Sequence, residues 1–162
     1  MISILIIGNE ILTNKVQDTN LKFMFKHLNR AGYRIDEVRI VRDEMEALVK
    51  AIRELSRTSS FVISTGGIGP THDDITLRAY AEAFNSPIFV HPELDERLRK
   101  YFGDKTTKES LSMALVPVIT ELVHKGAPKW PLIRVANCFV LPGLPQAFER
   151  KFLGVMENLP AV

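Results

Sequence analysis

The sequence predicts a three-layer α/β/α fold built on a mostly parallel sheet, and three observations point to it. Short β-branched runs alternate with amphipathic helical periods, giving strand, helix, strand, helix, strand, helix over the first half of the chain; that order favours a parallel sheet with helices on both faces. The polar and glycine-rich segments follow strands, after Ile7, Val41, Ser64 and Leu141. The 162 residues are 46% hydrophobic and 25% charged, sufficient for one core without disulfides or a structural metal. Residues 1–162 therefore read as a single domain.

Ile2 to Ile7 is short, apolar and β-branched, the mark of a buried strand. Leu21, Met24, Phe25 and Leu28 then recur at helical spacing, and Gly32 sits where a left-handed cap would end that helix. Asp18 or Thr19 is the expected N-cap. Residues 34–41 alternate as a second strand. Met45, Leu48, Val49, Ile52 and Leu55 mark a second helix, and Asp43-Glu44-Met45-Glu46 before it resembles a capping box. Phe61 to Ser64 is a third strand. Leu77, Tyr80, Ala81 and Phe84 give a third helix, which Asp73 or Asp74 could cap. Leu94, Leu98, Tyr101 and Phe102 suit a fourth helix opening at Pro92, followed by a short one over residues 108–115. Residues 117–141 read as extended pieces ending in the strand Cys138 to Leu141. After the turn Pro142-Gly143-Leu144-Pro145, a closing helix carries Phe148, Phe152, Val155, Met156 and Leu159.

Charge narrows the function classes. The formal net charge of +2 comes from 21 basic and 19 acidic residues, so no basic footprint for nucleic acid and no polybasic membrane anchor is expected. The apolar runs are too short to span a bilayer, and no signal peptide is evident, so the cytoplasm is the expected compartment. Cys138, within Asn137-Cys138-Phe139-Val140-Leu141, reads as a buried free thiol. His27, His72, His91 and His124 show no metal-ligand spacing, and Trp130 reads as packing.

Thr65-Gly66-Gly67-Ile68-Gly69-Pro70-Thr71 is the most informative stretch. Glycines expose backbone N–H groups and accept positive φ, which turns those groups toward an anion, and a helix start downstream adds partial positive charge. The segment is neither a Walker A loop nor a dinucleotide fingerprint; its alternative is a tight turn without ligand. His72-Asp73-Asp74-Ile75-Thr76 follows. One cap needs one Asp, leaving a second carboxylate beside a phosphate cradle. Either a divalent cation or the N–H groups of a ligand heterocycle would reconcile the two. Glu10 has no evident structural duty.

Read jointly, Gly8-Asn9-Glu10-Ile11-Leu12, Asp18-Thr19-Asn20, Asp43-Glu44, the run from Thr65 to Thr76, and Leu141-Pro142-Gly143-Leu144-Pro145 resemble the MoaB/Mog (molybdopterin-binding) domain family. The likeness is closest to its branch in CinA-like proteins and at the front of eukaryotic FAD synthases. Asn9 and Asn14 depart from that branch, which commonly has Asp or Thr and Gly there. The resemblance implies carboxylates at Asp43 and Asp74 acting in catalysis, with Asp73 and Asp74 offered to Mg²⁺ or Co²⁺. It implies a ligand rim of Gly8, Glu10, Asp18, Asn20, Thr65, Gly66, Gly67, Gly69, Pro70, Thr71, Pro142 and Gly143. The expected ligand is a phosphorylated pterin or a nucleotide, with no tightly bound organic cofactor, and the expected assembly is a homo-oligomer, dimer or trimer. The expected activity is metal-dependent hydrolysis of ADP-ribose-like or FAD-like pyrophosphates. The alternatives are a molybdopterin-binding or adenylylating protein of cofactor biosynthesis, and a non-catalytic oligomerising domain.

Overall fold

A six-stranded sheet forms the middle layer of the computed structural model, which describes residues 1–8, 15–68 and 75–162. Its parallel part is β2 (Ile35–Val41), β1 (Ile2–Ile7), β3 (Phe61–Thr65) and β8 (Cys138–Leu141), side by side in that order. β7 (Leu132–Val135) and β6 (Thr120–Val123) extend it in antiparallel fashion beyond β8. The mostly parallel three-layer expectation holds.

β1 is buried along its whole length because helices cover both faces of the sheet. Leu5 and Ile7 face α2 (Met45–Thr58) and α3 (Thr76–Ala83), together with Leu48, Ile52, Ala79 and Tyr80. Ile4 and Ile6 face α1 (Lys15–Arg30) and α6 (Pro145–Asn158), together with Met24, Leu28, Phe148 and Phe152. Burying each such aliphatic side chain stabilises by roughly 1.5–3 kcal/mol, so β1 anchors both layers. Gly32, at φ +85°, ends α1, its N–H donating to Asn29 O at 3.0 Å.

Between α3 and β6 the chain builds a third, smaller core from Leu94, Leu98, Ala114 and Val116. It is formed by α4 (Pro92–Phe102), α5 (Lys108–Leu111) and a two-stranded antiparallel sheet of β4 (Ile88–Val90) and β5 (Leu115–Pro117). Three expectations need correction here and in α1. The short helix does not run to Leu115: residues 112–114 tighten into a 3₁₀ turn and Leu115 pairs with Val90, because ladder pairing outcompetes another helical turn. Tyr101 is 71% exposed rather than part of the apolar face, lying edge-on to Trp130 at 6.1 Å. α1 begins at Lys15, so Asp18 and Thr19 lie inside it and neither is its N-cap.

Candidate functional site

Parallel neighbours end at the same edge. The segments after Ile7, Val41, Thr65 and Leu141 therefore meet beyond the carboxyl ends of β1, β2, β3 and β8, where open α/β sheets place their ligands. Hydrogen bonds tie these segments together. Gly8 N–H donates to Val41 O at 3.0 Å and Gly66 N–H to Leu141 O at 3.1 Å. The Thr65 hydroxyl donates to Pro142 O at 2.8 Å, and Asn20 Nδ2 reaches from α1 to Gly143 O at 2.9 Å. Asn20 is fully buried, and among the described residues its Oδ1 has no hydrogen-bond partner. The loop before α6 is thus clamped from β3 and from α1.

The glycines after β3 have a defined duty. Gly66 and Gly67 sit at φ +103° and +68°, a region where other residues are strained. A β-carbon on Gly67 would collide with the Thr76 hydroxyl oxygen and lie 3.3 Å from both Asp43 Oδ1 and Ile7 Cγ2. Thr76 closes the loop, its N–H donating to Gly67 O at 3.3 Å and its hydroxyl to Gly66 O at 3.2 Å. Thr76 is fully buried. It was visible in the sequence as the end of the motif, but nothing there signals that its hydroxyl folds back onto the glycine carbonyls.

Four helices start from this edge: α1 after β1, α2 after β2, α3 after β3 and α6 after β8; the residues that precede α1 lie outside the described ones. The N-cap residues of α2, α3 and α6 are Glu44, Ile75 and Leu144, and none accepts a cap hydrogen bond with its side chain. Away from the edge the helices are capped, α4 by His91 Nδ1 accepting from Glu93 N–H at 3.2 Å and α5 by Thr107. Three helix starts whose N-cap side chains make no cap bond bring partial positive charge to one place, an arrangement suited to phosphate. The capping role expected of Asp43 is not observed. The N-cap is Glu44, whose carbonyl accepts from Leu48 N–H at 2.9 Å. Glu44 N–H closes a tight turn onto Arg42 O at 2.8 Å, and the Asp43 carboxylate stands beside Gly67 instead.

Of the residues singled out from sequence, Gly8, Asn20, Asp43, Thr65, Gly66, Gly67, Pro142 and Gly143 come to this edge. Glu10, Gly69, Pro70, Thr71, Asp73 and Asp74 lie outside the described residues, as does the His72 side chain; Asp18 lies in α1, its side chain outside the description. The N-cap of α3 is Ile75 rather than Asp73 or Asp74, and the metal role expected of those two falls on residues outside the described ones. Among the described residues no group of three or more His, Cys, Asp or Glu could hold a metal.

Two other features lie away from this edge. A cavity of about 470 Å³ opens where the end of α1 meets the start of β2, lined in part by Phe25, Tyr33, Asp36 and Glu37. It is at the opposite end of the strands from the glycine loop. Cys138 is buried in β8, its thiol pushed up to about 12 by burial, with a hydrogen bond from Tyr80 acting in the other direction. It is a packing residue, as expected from the sequence. Among the described residues no helix is long and apolar enough to cross a membrane.

The comparisons with known proteins converge on one domain type. A family model described as "Probable molybdopterin binding domain" matches residues 3–161. A CinA-like protein of Geobacter sp. is 36% identical over 157 residues, covering 92% of this chain and 38% of its own length. A "Probable FAD synthase" of Caenorhabditis briggsae is 30% identical over 179 residues, covering 97% of this chain and 34% of its own length. The chain thus spans little more than a third of those two relatives. The crystal structure of the protein CinA from Thermoplasma acidophilum superposes with a TM-score of 0.84 at 28% identity, covering 97% of this chain and 95% of that one.

Proposed function

The chain belongs to the molybdopterin-binding domain family, and from that premise we propose that it holds a phosphorylated nucleotide at the carboxyl edge of its parallel strands and hydrolyses a pyrophosphate bond there. One observation carries the reading. The backbone at Gly66 and Gly67, bent to positive φ, lies against the Asp43 carboxylate among three helix starts that no N-cap side chain covers. Backbone N–H groups bind phosphate oxygens without a cost in side-chain entropy, and a carboxylate beside them serves the attacking water. Hydrolysis adds water across the P–O–P bridge and leaves two monophosphates.

A divalent ion fits the donor chemistry in part. Asp43 offers carboxylate oxygen next to a cradle that a β-carbon would fill, and Mg²⁺ takes oxygen ligands and substrate phosphates together. Asp43, with Asp73 and Asp74, would hold it. When bound, such an ion neutralises phosphate charge and lowers the pKa of a coordinated water. The chain's own part is to fix the phosphates through the Gly67 N–H and the helix starts around it, Gly66 N–H being held by Leu141 O, and to keep the neighbouring loop still through Thr65 and Asn20.

The name of one relative, a probable FAD synthase, favours FAD as substrate, and ADP-ribose shares its adenosine pyrophosphate. The description of the family favours a second reading, a pterin bound without hydrolysis. The test is to incubate the protein with ADP-ribose or FAD and Mg²⁺ or Co²⁺, measure released monophosphates, and repeat with Asp74→Asn. Turnover is expected to fall by roughly 10²–10⁴-fold in the variant, with its circular dichroism and melting unchanged. Full activity in the variant, with the same metal dependence, overturns the assignment.

A further inference from the structure

Among the Phe, Tyr and Trp side chains, Tyr101 alone stands largely in solvent: it is 71% exposed, the others buried or half-buried. Its ring meets Trp130 edge-on, with centroids 6.1 Å apart and planes at 78°. Two rings at that angle form a corner, in which a flat ligand stacks on one face and meets the edge of the other. The corner is held still from both sides. Arg97, one turn before Tyr101 on α4, donates through Nη1 to Lys129 O at 2.8 Å, and Lys151 Nζ donates to Pro131 O at 3.4 Å. Pro131 also restricts the backbone of Trp130 to extended conformations, so little freedom remains to be lost when a ligand arrives.

This corner lies beside the glycine loop. Ser64 and Ile133 flank Val140 on either side, so β3 and β7 are two strand spacings apart, about 10 Å. β3 runs toward the carboxyl edge and β7 runs away from it. Gly66 follows Ser64 by two residues and Trp130 precedes Ile133 by three, so both stand beyond the same edge. They also share a side of the sheet. Leu77, next to the Thr76 that closes the glycine loop, packs against the core of α2 and α3 and against the small core that Trp130 covers. Residues 122–148 contain no Asp or Glu, so no carboxylate of that stretch repels phosphates between loop and corner.

We infer that Tyr101 and Trp130 form the base subsite of this edge, taking the heterocycle of a nucleotide whose phosphates lie on the glycine loop. The inference rests on the reading of that edge as a phosphate site, and it narrows the substrate class. The ligand is a nucleoside diphosphate or a dinucleotide, whereas inorganic pyrophosphate, or a sugar phosphate without a base, binds poorly. A ribose with its base bridges the two strand spacings between loop and corner. Stacking accepts any flat base, because every base has a π-face; the corner therefore selects for the presence of a ring rather than for one base. Trp130 is half-buried, so it packs on the small core and still offers surface to a ligand.

Trp130 is the chain's single tryptophan, so stacking on it is read directly as quenching of intrinsic fluorescence. The probes are α,β-methylene-ADP, whose P–C–P bridge resists hydrolysis, and methylenediphosphonate, the same bridge without the nucleoside. Each is titrated with Mg²⁺ into the intact chain and into Tyr101→Ser, with affinities read by calorimetry. The nucleotide is expected to quench and the diphosphonate is not. Tyr101→Ser should weaken the nucleotide about tenfold or more, the scale of base stacking. It should leave the diphosphonate unchanged and melt like the unchanged chain, and Tyr101→Phe should keep the original nucleotide affinity. Trp130→Ala would also open the small core, so the exposed tyrosine carries the test. Nucleotide binding without quenching, or equal nucleotide affinity in Tyr101→Ser, overturns the subsite and leaves the phosphate reading standing. Equal losses for both probes in Tyr101→Ser overturn it as well. Binding of neither probe overturns the phosphate reading and this inference together.

Discussion

A β-carbon added to Gly67 would lie 3.3 Å from Asp43 Oδ1, so the loop that leaves β3 and the loop that leaves β2 touch at the mouth of the sheet. That contact sets the spacing between phosphate cradle and carboxylate on which the proposed chemistry depends. It also explains why the position is glycine: φ is +68°, and the Thr76 hydroxyl occupies the remaining space.

Gly67→Ala combines a left-handed conformation with a forced shift of Thr76. The expected destabilisation is about 2–4 kcal/mol, summing the backbone and overpacking costs, measured by urea unfolding. Stabilisation by nucleotide should be lost as well. A change within about 0.5 kcal/mol, the range of ordinary surface substitutions, would show that the loop is not packed as described.

Asn20 separates two effects at one atom. Asn20→Ala removes the donor to Gly143 O and should cost roughly 1–3 kcal/mol. Asn20→Asp sets a buried carboxylate oxygen against that carbonyl and should cost more, on the order of 3–5 kcal/mol. Equal destabilisation by the two substitutions would contradict the clamp.

Cys138 should resist thiol reagents at pH 8 in the native protein and react once urea unfolds it, because burial pushes its thiol up to about 12. The sign of the linkage follows. The unfolded thiol ionises near 8.5, so the stability contributed by keeping it neutral is whole below that value and is lost as pH rises toward 12. Cys138→Ala should therefore flatten the decline in stability above pH 8.5 relative to the unchanged chain. An identical decline in both proteins would assign that pH dependence to other groups.

Glu93 ties α4 to the strand side of the small core. Its carboxylate accepts from His124 Nε2 at 2.8 Å and from Arg97 Nε at 2.9 Å, and these hydrogen bonds, His124 foremost, hold its pKa below the usual value. A lowered carboxyl contributes stability above the unfolded pKa that disappears as pH falls through the folded one. Glu93→Gln should thus melt earlier than the unchanged chain at pH 7, the gap closing in acid. A gap that persists undiminished in acid would contradict the pairing.

The core elements were legible because their hydrophobic periods are long. Ile2 to Ile7 and the five apolar residues of α2 admit one reading each; the strand is buried throughout, as are Leu48, Val49, Ile52 and Leu55, with Met45 partly buried at the helix start. β4 and β5 were not legible: strands of three residues carry too short an alternation to separate from loop, and only their pairing defines them. The glycine motif pointed to the correct edge of the sheet because β3 ends there. The misreading of Asp43 as a cap has a local cause. Asp43-Glu44-Met45-Glu46 fits a helix start on composition, but the turn between Glu44 N–H and Arg42 O shifts the cap by one residue. Thr76 went unassigned because a buried hydroxyl bonding back to Gly66 O depends on a 10-residue return of the chain.

The most direct test of the phosphate edge is thermal unfolding of the intact chain with ADP-ribose, FAD, ATP and a pterin, each with and without Mg²⁺ or Co²⁺. At a hundred times its dissociation constant a ligand stabilises by about 2.7 kcal/mol, a readable rise in Tm for a domain of this size. The expected result is a metal-dependent rise with ADP-ribose or FAD that Asp43→Asn removes. A rise with pterin alone and without metal would transfer the site to cofactor binding, and no rise with any ligand would contradict the claim that this edge holds phosphate.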